Sequence, residues 1–87
     1  MAKIRYVRKK DLVWEKVEQE VVVLDHQAGK IYRLNETAGK IWSLLSQGRE
    51  IGWLVKEIEK TYQGKDIEDQ LEEVLKTMEK QGIVVAR

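Results

Sequence analysis

Few residues of this 87-residue chain are equipped for chemistry, and their spacing does not assemble a reactive centre. His26 is the sole histidine and falls in His26–Gly29, a segment that reads as a turn. A lone imidazole there has neither a second metal ligand nor a nucleophile to activate. Cysteine is absent, which closes the thiol-nucleophile, disulfide and cysteine-ligated metal readings and fits a reducing compartment. Ser43 and Ser46 have no base near them in sequence and no Gly-x-Ser-x-Gly elbow. The neighbouring carboxylates Glu68–Asp69 and Glu72–Glu73 diverge around a helix, while Glu68–Glu72 and Asp69–Glu73 share a face at i, i+4. Such a face is ordinarily a solvated acidic surface rather than an acid–base pair. The glycines form no phosphate-binding loop. The expectation is a protein without catalysis, metal or cofactor.

The elements that would position a binding site are easier to read. Leu12–Val17 and Glu20–Asp25 have strand character, the second around the β-branched run Val21–Val23. Gly29 can take positive φ in the following turn, and Lys30–Leu34 is a third short strand, so a three-stranded antiparallel meander is the economical arrangement. Asn35 is placed to cap a helix with Glu36 in its first turn, an apolar stripe of Ala38, Ile41, Trp42 and Leu45, and Gly48 as its close. A second helix over about Ile51–Tyr62 presents Ile51, Leu54, Val55, Ile58 and Tyr62, and Gly64 ends it. A third begins at Asp66 as N-cap, buries Ile67, Leu71, Val74, Leu75 and Met78, and stops at Gly82. Ile83–Val85 is a short final strand or a packed tail. This order is that of an α+β, winged helix-turn-helix-like domain with three antiparallel strands, three helices and a short C-terminal strand.

Length, at 43% hydrophobic and 36% charged residues, suits one domain with a small core. Residues 1–11 read as a basic N-terminal segment, with 12–87 as the folded domain. The net charge of +1 hides two opposed fields. Lys3, Arg5, Arg8, Lys9 and Lys10 carry no acid among them, whereas Asp66–Lys80 sets Asp66, Glu68, Asp69, Glu72, Glu73 and Glu79 against only Lys76 and Lys80. A winged-helix DNA-binding regulator is the alternative that this layout raises. Its third helix would have to approach phosphates, and here that helix is the most acidic element, so nucleic acid is not the expected partner. The N-terminus lacks the apolar core of a signal peptide, and no apolar run approaches the ~20 residues of a membrane span, so a cytoplasmic location without membrane contact is expected.

What remains is the edge. In sequence order Lys30–Leu34 lies at one side of the meander, with no Pro or bulge to blunt it. An extended peptide can add to such an edge as a further strand, while pockets select its side chains. The alternative is an edge covered by the domain's own tail or third helix. Trp53 falls off the apolar stripe of its helix and is expected to cap the edge of the core, the alternative being a surface anchor.

These residues resemble a known family. Val22–Asp25, the turn Gly29, the run Leu34-Asn35-Glu36-Thr37-Ala38 with Ile41-Trp42, the later Ile51, Leu54, Ile58 and Tyr62, and the ending Gly82-Ile83 are similar to the PqqD-like family. These are the RiPP recognition elements, the leader-peptide recognition domains of ribosomally made, modified peptides. The resemblance spans about Leu12–Val85, and the L-N-E-T-A-x-x-I-W run is its most specific part. It implies a non-catalytic winged-helix-like domain that binds the leader of a precursor peptide by strand addition. The implied contacts are Lys30, Ile31, Tyr32, Arg33 and Leu34 from the strand and Asp69, Glu72, Leu75, Lys76 and Glu79 from the third helix. Standing alone, the chain looks most like the discrete recognition proteins of lasso-peptide pathways, which present the leader to a peptidase before a cyclase acts. It departs from the common pattern at Glu50, where relatives often carry a Thr or Ser cap.

Overall fold

A computed structural model describes residues 3–62, 64 and 66–87. Residues 1 and 2 of the basic segment lie outside the described residues. The architecture is α+β and winged-helix-like, with two small antiparallel sheets packed around three helices. Strands β2 (Val13–Val17), β3 (Glu20–Asp25) and β4 (Lys30–Leu34) form the expected meander in that spatial order. Its register pairs Trp14 with Val23 and Val23 with Tyr32, so one face carries Val21, Val23 and Leu34 into the core. At the β3–β4 turn Gly29 takes φ +67°, and the buried Asp25 accepts a hydrogen bond from the Ala28 amide at 3.1 Å. His26 is exposed in that turn.

The N-terminal segment is not a free tail. Arg5–Arg8 forms β1, the central strand of a second sheet, between β5 (Arg49–Glu50) and β6 (Val84–Ala86). Arg5 and Arg87 exchange backbone hydrogen bonds at 2.7 and 2.8 Å, and the Arg8 and Lys9 amides donate to Leu45 and Ile83. Both pairing partners are remote in sequence, which is why a segment with so many cations carries no local strand signature. The Arg8 guanidinium lies 5.0 Å from the Trp14 ring centroid and 5.5 Å from that of Trp42, which also meet edge to face. Burial lowers the pKa of Arg8, while the two indole faces give the charge a favourable environment.

Helix α1 (Glu36–Ser43) starts as its cap requires: Asn35 Oδ1 accepts the Ala38 amide at 2.8 Å. It ends before Gly48. Tight bonds from the Leu44 and Leu45 amides to Ile41 and Trp42 turn the chain while keeping Leu45 buried. Gly39 lets α1 approach β3 closely, since a Cβ there would meet Val21 Cγ2 at 3.0 Å. Helix α2 (Ile51–Glu59) is shorter than the apolar pattern suggests, and Glu50 provides no side-chain cap. Trp53 is half-buried beneath Arg49, 3.9 Å from its ring centroid, and closes the edge of the core. Helix α3 (Ile67–Gln81) follows Asp66, which does not act as the expected side-chain cap. Its φ of +63° is left-handed, whereas a capping side chain needs an extended backbone. The helix closes in a Schellman turn: the Ile83 amide donates to Met78 and that of Gly82, at φ +80°, to Glu79.

Candidate functional site

Strand β4 is an edge strand, paired with β3 from Asp25–Lys30 through Val21–Leu34 and with no strand on its other side among the described residues. Antiparallel geometry leaves backbone donors and acceptors along that side facing outward. Side chains alternate along the strand. Tyr32 and Leu34 turn toward the core, while Ile31 and Arg33 turn to the opposite face with Val22 and Leu24. The Tyr32 hydroxyl donates to the Gln81 carbonyl at 3.1 Å and so ties β4 to the end of α3.

Beside the C-terminal end of β4 lies a groove of about 710 Å³. Its strand side is Arg33 and Leu34, its floor includes Ala38, Ile41 and Ile58, and its helical wall is built from α3. The wall residues Ile67, Gln70, Leu71, Val74, Thr77, Met78 and Gln81 recur at helical spacing and define one side of that helix. The groove is therefore apolar at depth and polar at its mouth, the usual division between filling and orienting groups in a ligand site. Glu73 brings a charge to its rim, while the Arg33 side chain turns to the other sheet face and is held there by Glu20 at 2.7 Å. Gln81 Oε1 is buried and has no hydrogen-bond partner among the described residues, so an acceptor waits at one end of the groove.

The structure separates the residues that the resemblance had grouped. Arg33 and Leu34 line the groove, and Tyr32 braces it. Lys30 and Ile31 lie on the same strand but outside the groove, Ile31 being exposed on the other sheet face. Of the helical set, Leu75 is fully buried in the core. Asp69, Glu72, Lys76 and Glu79 do not line the groove; at 3.6 residues per turn they fall on the far side of α3 from Gln70, Val74 and Thr77. The acidic face is thus turned away from the groove, and Glu73 alone brings acidic charge to its rim. Sequence reasoning missed Gln70, Thr77 and Gln81 because polar positions beside an apolar stripe carry no mark of their own. Their one signal is the i, i+7, i+11 spacing that keeps them beside Val74. Groups of His, Cys, Asp or Glu able to hold a metal are absent among the described residues. No helix of the described residues is long and apolar enough to cross a membrane.

A mixed domain with a free edge strand opening onto an apolar groove belongs to a class that can take up an extended peptide. The chain belongs to the family described as Coenzyme PQQ synthesis protein D (PqqD), whose sequence model matches residues 20–84. Two solved structures share its fold. One, "TbiB1 in Complex with the TbiA(beta) Leader Peptide", is 25% identical with a TM-score of 0.82, over 90% of this chain and 93% of that one. The other, "Lasso peptide synthetase B1 complexed with the leader peptide", is 18% identical with a TM-score of 0.79, over 92% of this chain and 96% of that one. No curated protein matches the chain.

Proposed function

We propose that this protein binds the leader region of a ribosomally made precursor peptide and presents it, without catalysis of its own, to a leader peptidase in the cytoplasm, with a cyclase acting later in the same pathway. The observation that carries this reading is the unpaired edge of β4 opening directly onto the groove between β4 and α3. The leader adds as a strand along Lys30–Leu34, satisfying the outward backbone groups, and sends apolar side chains into the groove over Leu34, Ile67 and Val74. Gln70, Thr77 and Gln81 orient it at the mouth. The similarity to a solved leader-peptide complex at 25% identity supports the same reading.

Burying two or three aliphatic or aromatic anchors, at about 1.5–3 kcal/mol each, adds to the backbone hydrogen bonds of strand addition, at about 0.5–1.5 kcal/mol each, in offsetting the cost of ordering the peptide. Isothermal titration with synthetic leader peptides of candidate precursors from the same genome tests it. A sub-micromolar Kd is expected, and no measurable binding at about 100 μM would refute the function. The DNA-regulator alternative gains nothing from the structure, because Asp69 and Glu79 occupy the exposed side of α3.

A further inference from the structure

We infer that the outer face of the β2–β3–β4 sheet, the one turned away from the core, docks the peptidase that cuts the bound precursor. That enzyme would present an apolar patch with a cation set against Glu15. The inference rests on the leader-binding reading and names the partner's surface.

Large exposed hydrophobic side chains are concentrated on this face. Val13, Leu24 and Ile31 are 58%, 36% and 67% exposed, and the register places them in one row across all three strands. Neighbours in such a row stand about 5 Å apart, so they form a continuous patch rather than scattered surface residues. Val22 continues it in the next row, between Glu15 and Arg33, and Val17, 50% exposed, extends it along β2. An antiparallel sheet with one solvated face normally places polar residues there. Glu15 makes no ion pair among the described residues, whereas Arg33 is neutralised by Glu20.

Size and position decide the occupant. From strand spacing and rise the face measures about 14 by 17 Å, roughly 250 Å², against about 800 Å² per partner in a standard stable interface. Stacking with a second copy would bury too little to hold a dimer. A partner able to dock here must gain contacts elsewhere, and the nearest source is the leader itself. A strand added to β4 widens the same face, because alternate leader side chains point outward beside Ile31 and Arg33 while the others enter the groove. The processing enzyme is the partner that must hold both this domain and the peptide emerging from it. Docking is therefore leader-dependent: the bare domain is a poor ligand and the loaded domain a good one.

The test uses the full chain with a synthetic leader that it binds and a leader peptidase from the same genome. Peptidase capture on the immobilised chain is measured with and without synthetic leader, and leader affinity is measured separately by calorimetry. The double variant Val13→Lys/Leu24→Glu replaces the apolar row by a cross-strand ion pair far from the groove; Glu15→Lys reverses the single charge with no loss of apolar surface. Leader should raise peptidase affinity for the native chain by about tenfold or more, and either variant should lose about tenfold in capture while its leader affinity stays within about twofold. Capture equal with and without leader, or unchanged in both variants, overturns the docking surface and leaves leader binding standing. A native chain that binds no leader sinks both.

Discussion

The sharpest perturbation of the groove is Thr77→Trp. Thr77 is exposed, lines the groove, and lies on the same side of α3 as Val74. Its hydroxyl only bonds back to the Glu73 carbonyl within the helix, at 3.0 Å, so its loss spares the core. An indole at this position occupies the space an apolar leader anchor would fill. Displacing one such anchor removes about 1.5–3 kcal/mol, or about a ten- to hundredfold rise in Kd. The companion variants Asp69→Ala, Lys76→Ala and Glu79→Ala, on the far side of the helix, should each stay within about twofold of the native affinity. Calorimetry against one synthetic leader, with thermal melts to show that every variant is folded, makes the comparison. Full affinity in Thr77→Trp together with a tenfold loss in the far-side variants would refute the groove assignment and restore the acidic face as the contact surface.

Three further outcomes follow from particular contacts. Tyr32→Phe removes the hydroxyl that ties β4 to the Gln81 carbonyl; denaturant unfolding should show a loss of about 0.5–1.5 kcal/mol, and unchanged stability would mean that the tie does not hold the groove wall. Gly39→Val forces side-chain atoms against Val21, whose Cγ2 already lies 3.0 Å from the site of a Cβ; the expected loss is about 1–3 kcal/mol, read as a lower thermal midpoint. Gln81→Leu fills the same groove end without the buried acceptor; if Oε1 takes a leader N–H, affinity should fall by about three- to tenfold in titration, while a gain would show that the acceptor is unused.

Local signals account for much of what was legible. The β-branched run of β3, Gly29 at positive φ, the Asn35 cap and the apolar stripes of the helices each act over a few residues, so their elements follow from the chain itself. The Gly82 close of α3 belongs with them, since an αL cap is a property of one residue type. Asp66 shows the limit of such signals: the residue type suits a cap, but its backbone was bent into αL and the side-chain bond was lost.

The sequence by itself determined the order of the three meander strands, the three helices and the C-terminal strand, the family, and an unblunted edge at Lys30–Leu34. Tertiary structure alone decided that Arg5–Arg8 is a strand, because its partners Arg49–Glu50 and Val84–Ala86 are brought to it only by the completed fold. It also decided which side of α3 meets the edge. Helical periodicity tells which residues share a side but not how the helix is rotated about its axis. Packing Leu71, Leu75 and Met78 into the core sets that rotation, turning Gln70, Val74 and Thr77 toward the groove and the carboxylates away from it.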